Sequence, residues 1–209
     1  MKSTAIKAAK EAGKIILHYY SKNVNAMSKG NTYDLVTEAD LAAENKIIST
    51  IKNKFSGHSI LTEESGEEIH KSDYCWVIDP LDGTNNFYHK FPMFCVSIAL
   101  YKKGKPLIGV VFDPLKKELF YAEKNEGAYL NNKKINVSNV SNLSKSLLAL
   151  GFYYERGLLM RKTLGQMKKF FYENVHGLRR TGSAALDLCY TACGRFDGYW
   201  ELKIGRAHV

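Results

Sequence analysis

The stretch Trp76-Val77-Ile78-Asp79-Pro80-Leu81-Asp82-Gly83-Thr84-Asn85-Asn86-Phe87 joins a short apolar run to two aspartates, a glycine and a polar segment. Trp76-Val77-Ile78 reads as a buried strand that ends at Asp79, after which Pro80 bends the chain. Two carboxylates three residues apart at a strand-to-turn junction can converge on one point, and between them Leu81 can turn its backbone carbonyl inward. Hard divalent cations take such all-oxygen sets, and Mg²⁺ keeps waters besides. Gly83 lets another backbone approach closely. Thr84 and Asn85 can open a helix whose N–H groups face a phosphate.

Upstream, the acidic pair Glu63-Glu64 follows the apolar pair Ile60-Leu61. Alone it is a polar loop; its place just before the aspartates makes it the natural supplier of a third carboxylate. Thr37 and Asp40 fit a capping box, and Leu41, Ile47, Ile48, Ile51 and Phe55 continue a helical stripe behind them. Asp40 thus falls in a first helical turn, where the dipole favours its charge. Residues 4–20 place Ala5, Ala8, Ala9, Ala12, Ile15, Ile16 and Tyr19 at helical spacing.

Downstream the period changes. Cys95–Tyr101 and Leu107–Phe112 are strand-sized and joined by Lys102-Lys103-Gly104-Lys105, which predicts a hairpin. Asp113-Pro114 and Asn131-Asn132 mark turns before Leu119–Ala122 and Lys134–Val137, so an antiparallel meander is expected. Leu147–Leu150, Leu178–Arg180 and Tyr199–Leu202 read as strands, Arg161–Glu173 and Ser183–Cys193 as helices. The fold class is α+β, with layered sheets and helices.

Composition excludes several functions. The longest apolar stretches of the 209 residues fall far short of the roughly 20 that span a bilayer, and lysines interrupt the apolar positions of the N-terminal helix as no signal peptide allows. The reading is cytoplasmic, with no membrane partner. Four cysteines form no CxxC pair and six histidines no HxxxH or HExxH spacing, so no zinc site is expected. The net charge of +9 is spread in doublets such as Lys102-Lys103 and Lys168-Lys169, without a run of five or six like charges. That favours a solvated surface over nucleic acid as the primary partner, while a modest positive field also attracts anionic phosphates.

The segments DLVTEAD (34–40), ILTEES (60–65), WVIDPLDGTNNF (76–87) and GSAALDLCYTACGRFDGYWE (182–201) resemble, in order and type, those of the inositol monophosphatase family, most closely its bacterial-type members. The resemblance implies a layered αβαβα sugar-phosphatase-like fold over residues 1–203, with its C-terminal α/β portion incomplete. It implies Mg²⁺-dependent hydrolysis of a phosphomonoester, foremost myo-inositol monophosphate, by a metal-activated water. In that scheme Glu63, Asp79, the Leu81 carbonyl and Asp82 bind metal, Asp79 bridging two ions, and Glu63 and Thr84 accept and relay the proton. Gly83 and Thr84 grip the phosphate; Gly182, Ser183, Ala184 and Glu201 contact the sugar ring. Lys29, Asp40 and Glu64 flank the metal site, and a homodimer is allowed.

One departure stands out. The family places a metal-binding aspartate, preceded by tryptophan, seven residues after Glu201, but position 208 is a histidine. The tail Ile204-Gly205-Arg206-Ala207-His208-Val209 breaks the pattern and is expected to be non-native, of the kind that adapter read-through encodes, leaving the chain itself with little activity. Rival readings keep the metal site and change the substrate to fructose-1,6-bisphosphate, a nucleotide bisphosphate or NADP. A reading from another class is a regulatory module that binds RNA or transcription machinery.

Overall fold

A computed structural model of the chain describes residues 1–22, 26–28, 35–152 and 157–203. Lys29 and the tail 204–209 lie outside the described residues. The first half runs α1 (Lys2–Tyr20), β1 (Ala26–Ser28), β2 (Leu35–Thr37), α2 (Glu38–Phe55), β3 (Ser59–Thr62), β4 (Glu67–Glu68), β5 (Tyr74–Asp82), α3 (Thr84–Tyr88) and β6 (Cys95–Lys102). The second half runs β7 (Lys105–Asp113), β8 (Glu118–Glu123), β9 (Gly127–Leu130), β10 (Lys133–Lys134), β11 (Leu147–Leu150), α4 (Leu158–Tyr172), β12 (Gly177–Arg179), α5 (Ala184–Ala192) and β13 (Gly198–Trp200).

Alternating apolar side chains build the meander. β5 to β10 pair in sequence, antiparallel, and β3 adds parallel to β5, giving an eight-stranded sheet of order β10-β9-β8-β7-β6-β5-β3-β4. The β6–β7 hairpin turns through Lys103 (φ 51°) and Gly104 (φ 72°), the two positive φ values that a two-residue turn matched to strand twist requires. A parallel three-stranded sheet, β12-β11-β13, stands apart from it.

Helices α1 and α2 cover one face of the large sheet. Their contact positions are small: Ala5, Ala8, Ala9 and Ala12 on α1, Ala39 and Ala43 on α2, all fully buried with Trp76, Ile78, Val96, Ile98 and Leu100 beneath them. At Gly13 the approach is closer still, since a Cβ there would stand 2.7 Å from the Phe112 ring. The opposite face receives α5, through Ala185 and Leu186 on Cys95 and Val111. Tyr190 of α5 reaches both Phe120 of the large sheet and Ala149 of the small one. Successive strand residues face opposite ways: Tyr199 joins the cluster under α5, whereas Trp200 turns outward to α4, its ring 4.6 Å from Phe170 and its Nε1 donating to Gln166 at 3.2 Å. The layers are therefore helix, sheet, helix, sheet, helix, the αβαβα arrangement anticipated from the motifs.

The strand expected over Lys134–Val137 is only the two-residue β10, and two differences from the sequence reading bear on the site. The strand expected to end at Asp79 continues to Asp82, its register with β6 shifting between those residues. Pro80, which has no N–H to donate, sits in that irregularity, so the chain bulges without leaving the sheet. The stretch around Ile60-Leu61, read only as an apolar pair before a polar loop, is β3, whose parallel register sets Thr62 opposite Ile78.

Candidate active site

The parallel pairing of β3 and β5 delivers Glu63 to Asp79. The Glu63 N–H donates to the Ile78 carbonyl at 3.2 Å, and the two side chains share a hydrogen bond. Glu63 is exposed whereas Asp79 is 2% exposed, so an open loop carboxylate closes over a buried one. The bulge places the rest. Leu81 N–H donates to Asp79 Oδ1 at 3.0 Å, which turns the Leu81 carbonyl towards the Thr84 hydroxyl at 2.9 Å.

Gly83, at φ 93°, caps α3 in the left-handed region, and a Cβ on it would stand 2.7 Å from the Met93 carbonyl oxygen. Only glycine fits there. Thr84 follows, and its Oγ1 also lies 3.0 Å from Asp40 Oδ1, so one hydroxyl proton is shared between a carbonyl and a carboxylate. Asp40 Oδ2 accepts from Thr37 N–H at 2.8 Å and from the Thr37 hydroxyl at 2.5 Å, the capping box formed in full.

Asp82 reaches towards α5 with one of its two oxygens. Its Oδ2 accepts the Ser183 hydroxyl at 2.6 Å and the Ala185 N–H at 2.8 Å, with the Cys95 thiol 3.9 Å away. Ser183 is fully buried and also caps α5, so its hydroxyl serves Asp82 and the helix start. Gly182 beside it is exposed at φ 86° and Ala184 is half-buried. Glu201 follows β13, accepting the Tyr199 hydroxyl at 2.5 Å, and a Cβ on Gly151 would collide with its carboxylate at 2.1 Å. Glu64, half-buried, follows Glu63 in the same loop.

Charge dominates the electrostatics. Burial pushes the Asp79 carboxyl well above its ordinary value, and the charges of Glu63 and Asp82, the Glu63 hydrogen bond and Asp40 push it the same way. Asp187 on α5 is raised to about 7 by burial, against a Thr181 hydrogen bond that lowers it, with Asp82 and Glu201 raising it further. Burial together with Glu201 raises Tyr199. Among the described residues no three acidic, imidazole or thiol side chains stand ready as a ligand cage, because these acids are turned to one another and to protein donors. The donor chemistry nevertheless fits a hard cation. A divalent ion placed among these carboxyl groups would relieve the repulsion that raises Asp79, with oxygen donors only.

Three residues of consequence were given no role in the sequence reading. Asn86 Nδ2 donates to the Met93 carbonyl at 2.6 Å and the Thr181 carbonyl at 2.8 Å, tying the loop after α3 to the turn before α5. Asp187 anchors Thr181 through a 2.7 Å bond. Glu44, one helical turn after Asp40, accepts from the backbone of Glu64 and Ser65. Asn86 and Asp187 lie within the quoted motifs, and Glu44 carried a local signal in its spacing of four from Asp40 on the same helix face.

The family model described as the inositol monophosphatase family matches residues 1–209. The inositol-1-monophosphatase of Synechocystis sp. is 46% identical over 204 residues, covering 96% of this chain and 70% of its own length. The Nus factor SuhB of Escherichia coli K12 is 44% identical over 207 residues, covering 98% of this chain and 77% of its own. The crystal structure of extragenic suppressor protein SuhB from Bartonella henselae superimposes with a TM-score of 0.92 at 38% identity, over 97% of this chain and 78% of that one. Agreement at every level, from the layered fold to a family match running from the first residue to the last, makes this chain a member of the inositol monophosphatase family.

Proposed function

We propose that the protein hydrolyses a phosphomonoester in the cytoplasm with Mg²⁺ as cofactor, myo-inositol monophosphate being the preferred class of substrate. The observation that carries this reading is the buried Asp79, beset by the carboxylates of Glu63, Asp82 and Asp40 at a strand-to-helix junction. Glu63, Asp79, the Leu81 carbonyl and Asp82 hold the cation. Bound Mg²⁺ supplies Lewis-acid polarisation of the phosphoryl group and offsets the charge that develops on attack.

The remaining work falls to side chains. Thr84, with Oγ1 between Asp40 and the Leu81 carbonyl, accepts the proton of the attacking water while passing its own to Asp40 Oδ1. Glu63, open to solvent, is the second acceptor on this side. Gly83 lets the phosphate approach the backbone of the turn. On the far side Gly182 and Ala184 border the sugar, and Glu201 accepts its hydroxyls, which favours a polyol over a nucleotide base. Ser183, buried under Asp82, acts on the sugar only through that aspartate.

Phosphate release measured with and without Mg²⁺ tests this on a panel of inositol-1-phosphate, fructose-1,6-bisphosphate, 3′-phosphoadenosine 5′-phosphate and NADP. Mg²⁺-dependent turnover greatest on inositol-1-phosphate is expected. Turnover greatest on a nucleotide would move the substrate class, and none on any phosphate ester by a chain given a family-like segment after Lys203 would overturn the reading. The similarity to relatives called Nus factor SuhB supports a second reading, a binding role beside catalysis. RNA retention by an Asp79→Asn protein, falling steeply with salt, is its expected signature.

A further inference from the structure

We propose that Glu44 is a positioning residue that holds the Glu63 loop in its cation-accepting conformation, an inference that rests on the role given to Glu63 above. Glu44 lies mid-helix in α2 and is 1% exposed. Its Oε2 accepts the Glu64 N–H at 3.1 Å; its Oε1 accepts the Ser65 N–H at 3.1 Å and the Ser65 hydroxyl. A buried carboxylate is costly without donors, and here a single loop supplies three. These bonds are charge-assisted, roughly twice as strong as neutral ones.

The consequence falls on Glu63, whose own N–H is on the Ile78 carbonyl of β5. Glu63 is thus held on one side by the sheet and, through the next two peptide groups, by α2. The loop closes on itself as well: Thr62 N–H donates to the Gly66 carbonyl at 2.8 Å, and Ser65 N–H also lies 3.2 Å from Thr62 Oγ1. Neither of those bonds involves the residue that carries Glu63 towards Asp79. Glu44 does, since it binds the peptide immediately after Glu63. Asp40 and Glu44 stand four apart on α2 and face the site together, one holding the Thr84 turn and the other the Glu63 loop.

An isosteric amide cannot substitute. Glu44→Gln keeps one acceptor oxygen but points an NH₂ at a backbone N–H, so one donor of the loop loses its partner. The first readout is amide hydrogen exchange of the full chain in EDTA. Exchange at Glu64 and Ser65 should quicken at least 10-fold in Glu44→Gln, while the β5 and β6 amides stay protected. The second is the Mg²⁺ concentration for half-maximal phosphate release, which should rise 10- to 100-fold, the range found when a residue supporting a metal ligand is changed. Turnover at saturating Mg²⁺ should change less than about 3-fold, because a loop can be refilled by mass action. Ser65→Ala, which removes one donor and no charge, should shift the same two readouts in the same direction by less.

Unchanged exchange at residues 64 and 65, or a melting temperature that falls with no shift in Mg²⁺ dependence, would overturn the proposal. Should Glu44→Gln fail to fold, Ser65→Ala decides on the same two readouts. A chain with a family-like segment after Lys203 that neither binds Mg²⁺ by calorimetry nor releases phosphate sinks the reading of Glu63 instead, and exchange at Glu64 and Ser65 then judges Glu44 alone.

Discussion

Asp79 concentrates the conflict that the site is built to resolve. Its carboxyl is raised by burial and by three neighbouring acids, so the folded protein keeps a proton there that the unfolded chain surrenders. A cation and that proton compete for the same oxygens. Mg²⁺ affinity should therefore rise with pH through the acid-to-neutral range, as calorimetry at several pH values can show. Asp79→Asn removes the charge but keeps the shape. Mg²⁺-dependent phosphate release should fall by at least 10³-fold, a loss on the order of 4 kcal/mol in transition-state stabilisation. The same variant should melt no lower than wild type in EDTA, since it relieves a buried repulsion. Full activity in the variant would end the assignment of Asp79.

Among the elements, α2 was the most legible in advance. Thr37 and Asp40 announce its first turn, and the structure forms both bonds of the capping box. Strand β5 was legible only in part. Pro80 argues for a stop, but the bulge accommodates a residue without an N–H, and Asp82 resumes pairing opposite Cys95. The parallel partner β3 was not legible, because four residues in register with Cys75 to Ile78 carry no local mark of a neighbour so distant in the chain. α5 was visible as a helix, yet the purpose of its N-cap, Ser183, was not. Ser183→Ala removes both a cap and a hydrogen bond to a buried carboxylate, and should cost about 2–4 kcal/mol of stability in urea unfolding. A change below about 0.5 kcal/mol would show that the Asp82 contact contributes little.

For the molecule as a whole, the resemblance carried by the four motifs was enough to anticipate five layers and the family. The links between layers were not readable, since Asn86, Asp187 and Tyr190 sit inside the quoted motifs without any local feature that names their distant partners. Asp187 also makes global stability depend on pH. Its folded value of about 7 stands above the ordinary 3.8, so the folded state binds the extra proton. Below pH 4 both states are protonated and nothing is lost; stability then falls as pH rises, and the loss is complete above about pH 7. It amounts to a few kcal/mol at most, on the order of 1.4 per pKa unit. Urea unfolding in EDTA at pH 4.5, 6 and 7.5 should show this slope, and Asp187→Asn should flatten it.

The bonds from Asp82 to Ser183 and Ala185 span 101 and 103 residues. They give the site a schedule as well as a shape. At the 5–20 residues per second of synthesis, the first half of the site emerges about 5–20 s before the helix start that receives Asp82. During that interval Asp82 has only the first half of the site around it, and the closure that joins the two halves is non-local, the slow kind of contact in folding. A nascent chain of this family therefore makes its Glu63–Asp79 pair first and its finished cleft last.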